Sequence, residues 1–138
     1  MSYSTINDLI ARYGEAELIQ LTDTTQSGTY DAAVVQQALD DADSIVNSYL
    51  AARVTVPLSA PIPGVVVIQS AKIARWFLWK DRRSDAVMQD YNDAIAWLKM
   101  VAQGLIPIGA DAPETASSNL PRQVSNEHVF TRDKMKDF

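Results

Sequence analysis

The chain has 138 residues, of which 47% are apolar and 21% charged, and its formal net charge is −5. This length and composition are those of one globular domain, because domains commonly run about 100–150 residues and disordered chains are much less apolar. The absence of cysteine excludes a disulfide scaffold and a thiolate metal site, and no apolar run approaches the roughly 20 residues of a membrane span, so we expect a soluble, intracellular protein without membrane contact.

Charge is unevenly distributed along the chain. Residues 1–50 carry eight acidic side chains and a single basic one, whereas residues 72–83 carry five basic side chains and one acidic one. A subunit polarised in this way has complementary patches that favour head-to-tail contact with another copy, but solvated helix faces have the same pattern. Both interpretations stay open from the sequence.

Two short helices are predicted at the start of the chain. Thr5 followed by Asp8 has the spacing of a capping box, and Gly14 supplies the stop signal of the first helix. Residues 15–21 predict a second short helix, and the polar, turn-forming run at residues 22–30 predicts a loop.

A long amphipathic helix follows, with Asp31 as its N-cap. Apolar residues recur at three- and four-residue spacing from Val34 to Tyr49, and the opposite side is polar and acidic. Asp40 and Asp43 lie one turn apart on that acidic side, but a divalent cation needs more oxygen ligands than two carboxylates supply. We therefore expect a solvated acidic face and no metal site.

The stretch from Pro63 to Arg83 predicts the central helix of the domain. It follows a Pro-rich bend at residues 57–63 that interrupts any helix, and Pro63 suits the first position of a new one. One arc of this helix is apolar, and we expect it to be buried: Val66, Val67, Ser70, Ala71, Ile73, Ala74, Phe77 and Leu78.

The opposite arc of the central helix mixes polar residues with large apolar ones, Gln69 among the polar ones. A helix that is apolar around most of its circumference is either central to its own domain or covered by another chain. The second alternative predicts an oligomer interface that includes Ile68, Lys72, Arg75, Trp76 and Trp79.

A final long helix is capped by Ser84 and Asp85 and ends at Gly104. The fold class expected is therefore all-α, a small bundle of about four helices with a Pro-rich bend and an extended C-terminal arm. Residues 1–104 form the helical domain and residues 105–138 the arm, where prolines interrupt any helical period.

The end of the arm regains apolar residues between charges, which a solvated tail has little reason to keep. We favour docking of this segment on a partner or a neighbouring subunit, with folding back on its own domain and simple disorder as the alternatives. The residues concerned are Val129, Phe130, Arg132, Met135 and Phe138.

Residues that carry catalytic chemistry are sparse. His128 is the single histidine, the glycines are scattered singly, and paired carboxylates occur on exposed helix faces. We expect no catalytic residues, no cofactor and no enzymatic activity. The basic residues 72–83 with their two tryptophans leave a second candidate function, a small helical nucleic-acid-binding or regulatory module.

Four segments in order resemble the Mu-like prophage and phage family of small head-tail connector proteins. They are ARYGEAELIQLTD at residues 11–23, IVNSYLAARVTVPLS at 45–59, IARWFLWKDRR at 73–83 and HVFTRDKMKDF at 128–138. The resemblance extends over residues 3–104 and 129–138, and it does not include residues 105–126.

The resemblance implies a structural head-tail connector (adaptor) subunit of the virion, present in the host cytoplasm during assembly. Its implied partners are further copies of itself in a ring, expected to be dodecameric, the portal protein, and a tail-side connector or tail terminator protein. The arm residues 129–138 are then expected to bind the portal. DNA passes through such a ring without sequence-specific binding, past channel-facing acidic residues for which we propose Asp40 and Asp43.

Overall fold

The computed structural model describes residues 2–108, and these residues form five α-helices. Two of the five are the short helices predicted at the start of the chain, in a bundle expected to have about four helices, and no β-strand occurs between residues 2 and 108. The all-α prediction is confirmed. The elements are α1 (Ile6–Tyr13), α2 (Glu15–Thr22), α3 (Ala32–Leu50), α4 (Gly64–Trp79), a 3-10 turn (Lys80–Arg82) and α5 (Asp85–Ala102).

The predicted helix starts carry the side-chain caps that the sequence indicates. The hydroxyl of Thr5 accepts the backbone N–H of Asp8, and the Asp8 carboxylate accepts the backbone N–H of Thr5, so the capping box is formed. Asp31 accepts backbone N–H groups at the start of α3, and Ser84 does so at the start of α5. Gly14 separates α1 from α2 at φ +93°, a conformation that residues with a Cβ rarely adopt.

Helices α3, α4 and α5 form the core, with α4 packed between the other two, and α1 and α2 lie across α3 and α4. Leu39, Ile73 and Leu98, one from each core helix, are fully buried. Burial of a side chain of this size contributes about 1.5–3 kcal/mol. The position of α4 confirms that this helix is central to its own domain.

Contacts along α4 show the direction of the core helices. The Ser70 hydroxyl lies 3.4 Å from the Asp43 carboxylate of α3, and farther along α4 Phe77 lines a groove with Val34 near the start of α3. The Trp76 ring stacks on Tyr91 of α5, and only residues 80–84 separate the two helices, so α4 runs antiparallel to both neighbours. Its C-terminal end lies beside the first half of α3 and the start of α5, and its N-terminal end lies beside the last turns of α5.

The central helix is shorter than the sequence predicts, because it ends at Trp79 instead of Arg83. Lys80 takes φ +46°, outside the helical range. In a continued helix the Trp76 carbonyl would accept the N–H of Lys80. Here that carbonyl accepts the Nε–H of Arg83 at 2.9 Å, so a side chain replaces the backbone donor and the chain turns back.

The burial pattern of α4 differs from the prediction at three positions. Val67 and Phe77, expected to be buried, are half-buried, and Gln69, placed on the opposite arc, is buried. Helices on more than one side of α4 account for the burial of Gln69, since α1, α2, α3 and α5 all contact α4. Phe77 is half-buried because it lines an open groove between α3 and the end of α4. Within residues 2–108, no helix combines the length and the apolar character that crossing a membrane requires.

Candidate functional site

Five residues of α4 were predicted as an oligomer interface, and we call them the outer face of α4: Ile68, Lys72, Arg75, Trp76 and Trp79. The structure brings three of them, Arg75, Trp76 and Trp79, into contact with other elements of the same chain. The contacts of these three residues determine how much of the outer face is available to bind a partner.

Arg75 is held between α1, α2 and α5. Its guanidinium donates two hydrogen bonds to the Glu17 carboxylate, at 2.8 and 3.0 Å, and lies 3.6 Å from the Asp90 carboxylate. It also lies 4.2 Å from the centre of the Tyr13 ring. Hydrogen bonding to Glu17 raises the pKa of Arg75 above its ordinary value. The positive charge of Arg75 therefore pairs with a carboxylate of its own domain.

The two tryptophans of the outer face also have partners in the same chain. Trp76 stacks on Tyr91 with ring centres 4.1 Å apart, and the Arg83 guanidinium lies 3.6 Å from the centre of the Trp76 ring. Trp79 donates its indole N–H to Glu17 at 3.4 Å. Both rings keep some exposure. Whether this face also meets another copy stays a prediction.

Asp40 and Asp43, predicted to face a channel, have different surroundings. Asp40 is exposed and accepts a hydrogen bond from Gln36 at 3.0 Å. Asp43 is half-buried and accepts the backbone N–H of Tyr3 at 3.1 Å and the Ser70 hydroxyl at 3.4 Å. Burial raises the pKa of Asp43 above its ordinary value, against the hydrogen bonds that lower it. Asp43 thus ties the start of the chain to α3 and α4, and its channel-facing role stays a prediction.

An open groove lies where the end of α4 passes the first half of α3. Its volume is about 670 Å³, and no residue of α5 lines it. Side chains of α3 form one wall and the end of α4 with the 3-10 turn forms the other. We call this the α3–α4 groove, lined by Ala33, Val34, Gln37, Ala38, Asp41, Phe77, Leu78, Lys80, Asp81 and Arg83.

The α3–α4 groove was not predicted, because the sequence indicates a continuous helix through Arg83. Ending α4 at Trp79 leaves Phe77 half-buried on one wall and Val34 half-buried on the other. The signal available in the sequence was the run of charged residues 80–83, which contains no apolar residue to pack against α3.

Large apolar side chains are exposed at the other end of the core helices. Leu105, just beyond α5, is 67% exposed, Met100 is 39% exposed and Ile68 is 36% exposed. The backbone N–H of Leu105 bonds to the Met100 carbonyl at 2.9 Å, and Gly104 between them takes φ +80°. We call Leu105 and Met100, which this hydrogen bond joins at the end of α5, the Leu105 end.

Within residues 2–108, no group of three or more His, Cys, Asp or Glu side chains is arranged to hold a metal ion. The arm residues Val129, Phe130, Arg132, Met135 and Phe138 lie outside the described residues. The surfaces on which a function can be argued are therefore the groove, the Leu105 end and the outer face of α4.

Comparison with known proteins gives consistent matches over most or all of the chain. The family model described as "Bacteriophage Mu, Gp36" matches residues 3–125, which includes most of the segment 105–126 that the four motifs left out. The "Mu-like prophage FluMu protein gp36" of Haemophilus influenzae is 38% identical over 99% of this chain and 97% of its own length. "Gene product J" of Escherichia phage Mu is 35% identical over 100% of this chain and 99% of its own length.

Proposed function

Because the chain belongs to the bacteriophage Mu Gp36 family, we propose that it is a head-tail connector subunit, a structural adaptor of the virion. In this proposal, copies form a ring under the portal and join the capsid to the tail. The observation that carries it is the pair of separate apolar surfaces, the α3–α4 groove and the Leu105 end, on one small helical domain of a phage protein family. Two separate apolar surfaces on one domain support contact with more than one neighbouring protein.

An adaptor in a ring needs one surface for each neighbouring copy and further surfaces for the proteins above and below it. Heterologous contacts use two different patches of each subunit, and they close into a ring when the rotation between copies permits. The described domain offers the groove and the Leu105 end for contacts between copies. The C-terminal arm, with Phe130 and Phe138, is proposed to bind the portal, and the opposite side of the ring to meet a tail-side connector or tail terminator protein.

DNA passes through such a ring without sequence-specific binding. We assign the acidic side of α3 to the channel, where exposed Asp40 repels phosphate and discourages DNA from adhering. Asp40→Lys tests the channel role of Asp40. Asp93→Lys, the same substitution on α5, is the matched control. Normal DNA packaging by phage carrying Asp40→Lys would count against a channel role.

In this proposal the protein has no enzymatic activity. It assembles in the host cytoplasm and is then located at the head-tail interface of the virion. A small nucleic-acid-binding or regulatory module is the second candidate. The structure gives it less support, because Arg75 and Arg83 of the basic segment 72–83 are engaged with Glu17 and Trp76. Binding of DNA by the purified protein with a steep salt dependence would favour that candidate instead.

Binding to the portal protein of the same phage genome tests the proposal. The full-length chain is expected to co-sediment with the portal, and a variant carrying Phe130→Ser and Phe138→Ser is expected to lose at least about 90% of that binding, since buried aromatic anchors dominate such interfaces. Lys134→Ser with Lys136→Ser serves as the matched pair in the same segment and is expected to have a smaller effect.

The helical circular dichroism signal and the melting temperature are measured on the same samples. Both are expected to stay unchanged in the two arm variants and after deletion of residues 122–138. Absence of portal binding by the wild-type chain would contradict the connector function. Unfolding of the deletion variant would show that the arm belongs to the domain core.

A further inference from the structure

We infer that helices α1 and α2 form a lid on the core, which Glu17 holds closed and which opens as one unit while α3, α4 and α5 stay folded. The lid comprises residues 6–22 and lies across α3 and α4. It takes up the hydrogen bonds of Arg75 and Trp79 on the outer face of α4. The inference goes beyond the proposed connector function, because it concerns a motion within a single chain.

The lid buries few of its side chains. Its buried residues are Leu9, Leu18 and Thr22, whereas α3 buries six side chains and α4 buries seven. Helices α1 and α2 have eight residues each, and helices this short are at best marginally stable on their own in water. Regions with few buried apolar contacts are the ones that open while the rest of a domain stays folded. The two short helices therefore depend on their docking to α3 and α4.

The chain is anchored just before the lid, and the two lid helices are closely joined. Tyr3 and Ser4 are buried, and the Ser4 hydroxyl lies 3.0 Å from the Ser70 hydroxyl of α4. Gly14 alone separates α1 from α2, at φ +93°. Because one residue spans so short a distance, neither helix leaves the core without moving the other.

The connection from the lid to α3 is an exposed loop. Residues 24–29 are all exposed, so the core does not bury this stretch. Asp23 closes the loop on itself, since its carboxylate accepts the backbone N–H groups of Ser27 and Gly28, each at 2.9 Å. The loop therefore leaves the lid free to move relative to the start of α3.

The Glu17 carboxylate connects the lid to α4. Its Oε2 accepts the Nε–H of Arg75 at 2.8 Å, and its Oε1 accepts an Nη2–H of Arg75 at 3.0 Å. The indole N–H of Trp79 donates to the same carboxylate at 3.4 Å, and the guanidinium lies 4.2 Å from the centre of the Tyr13 ring in α1. A paired, charge-assisted contact of this kind is stronger than one between neutral groups. Glu17 is therefore the side chain expected to keep the lid closed.

Opening of the lid changes what the outer face of α4 presents. In the closed chain, Glu17 satisfies both the Arg75 guanidinium and the Trp79 indole N–H. In the open chain these donors lose that acceptor, and Asp90 of α5, 3.6 Å from Arg75, is the acidic neighbour that stays. The lid thus conceals a cation and an aromatic donor, on the face that the sequence predicts as an interface between copies.

Hydrogen–deuterium exchange of the full-length wild-type chain, followed by NMR for each backbone amide, measures the opening. The exchange rate of a protected amide gives an opening constant, the ratio of open to closed chains. The protected amides of α1 and α2 are expected to share one opening constant. That constant is expected to be at least about tenfold larger than the one for the slowest amides of α4.

A substitution in α5 separates lid opening from global unfolding. Val101 is fully buried in α5, and within residues 2–108 this helix packs on α3 and α4 but not on α1 or α2. Lid opening leaves the contacts of Val101 intact, whereas global unfolding breaks them. In Val101→Ala, the opening constant of the slowest α4 amides is expected to rise at least about fivefold, and that of the lid to stay within about a factor of two.

Glu17→Gln tests the contact that keeps the lid closed. The change removes the negative charge and is expected to raise the opening constant of the lid at least about tenfold. Glu15→Gln removes the same charge from an exposed position of the same helical turn, and it is expected to change that constant by less than about a factor of two. In a chain that already carries Arg75→Gln, the effect of Glu17→Gln is expected to fall below about threefold, because the pair is already broken.

Three results would overturn the inference. The first is a single opening constant for the lid and the core of the wild-type chain, and the second is an equal response of both to Val101→Ala. The third is an equal effect of Glu17→Gln and Glu15→Gln. The wild-type comparison needs no variant, so it decides the inference even if a substituted chain does not fold. Portal binding is measured separately, and the connector function stands or fails on that result alone.

Discussion

Arg75, Trp76 and Trp79 of the outer face of α4 and the α3–α4 groove belong to the same end of the same helix, yet the two regions differ in the contacts they make within the chain. Arg75, Trp76 and Trp79 contact side chains from α1, α2 and α5 and the Arg83 side chain that follows the 3-10 turn. In the groove, Phe77 is half-buried and lines an open space between α4 and α3. An apolar helix surface therefore indicates that side chains pack against it. The tertiary structure decides whether those side chains come from the same chain.

The two regions are therefore expected to affect different properties, the stability of the domain in one case and association between chains in the other. Arg75, Trp76 and Trp79 of the outer face make contacts within the domain, so their replacement is expected to lower the free energy of unfolding. Residues of the groove wall that project into open space contribute little to folding, so their replacement is expected to change association alone. Each of the following changes tests one side of this comparison.

The largest loss of stability is expected for Trp76→Ala. It removes the stack on Tyr91 and the contact with Arg83, and half-buried aromatic truncation of this kind is expected to cost about 2–4 kcal/mol. Urea unfolding monitored by circular dichroism measures the change. A double-mutant cycle with Tyr91→Ala is expected to show a coupling of about 0.5–1.5 kcal/mol. A variant that stays as stable as the wild type but fails to associate would make Trp76 an interface residue instead.

A smaller loss is expected for Arg75→Ala. The change removes the paired hydrogen bonds to Glu17 and the contact with Tyr13, and it leaves Glu17 without its guanidinium partner. With side chains of Arg75 and Glu17 18% exposed, we expect a cost of about 1.5–3 kcal/mol. Arg82→Ala, on the exposed 3-10 turn, is the matched control and is expected to change stability by less than about 0.5 kcal/mol. Equal effects of the two substitutions would refute a structural role for Arg75.

A pH dependence is expected from Asp43. Burial raises its pKa above the ordinary value of 3.8, so the folded chain holds this proton more tightly than the unfolded chain. The stabilisation of the folded chain by protonated Asp43 is fully present below pH 3.8, and it is lost as the pH rises through the pKa of Asp43 in the folded state. The stability of Asp43→Asn relative to the wild type is therefore expected to increase as the pH rises through the range just above 3.8.

Thermal unfolding at a series of pH values measures this difference. Asp40→Asn removes one carboxylate from an exposed position of the same helix and corrects for the change in net charge. A constant difference between wild type and Asp43→Asn across the range would show that burial of Asp43 does not affect folding.

The smallest change in stability is expected for Ala33→Trp, the groove variant. Ala33 is exposed, and a larger side chain there extends over the groove without displacing a buried residue. We expect the free energy of unfolding to stay within about 0.5 kcal/mol of the wild type. A loss above about 2 kcal/mol would show that the groove closes in solution and would remove the distinction between the two regions.

Much of the fold was predictable from the sequence, because its signals are local. The capping box at Thr5, the N-caps Asp31 and Ser84, and the stop at Gly14 depend on neighbours within a few residues. Apolar periodicity likewise identified α4 as the central helix. The end of α4 was predicted four residues late, because the hydrogen bond from Arg83 to the Trp76 carbonyl replaces a backbone bond through a side chain.

The candidate site was less predictable, because it depends on which elements pack together. Helical spacing placed Arg75, Trp76 and Trp79 on one face but gave no sign that Glu17 and Tyr91 would contact them. The α3–α4 groove combines residues about 40 positions apart, from Val34 to Leu78, and no periodicity connects them. The assignment to an Mu-like phage family was possible from the four short motifs, and the family comparison confirms it.

The molar mass of the full-length protein, measured by light scattering alone and after mixing with the portal protein of the same genome, tests the connector function most directly. We predict a complex that contains a ring of chains, about twelve times the 15.2 kDa of one chain beyond the mass of the portal. Leu105→Asp is expected to prevent ring formation while its melting temperature stays that of the wild type. A protein that remains a 15.2 kDa monomer in both conditions would contradict the connector function.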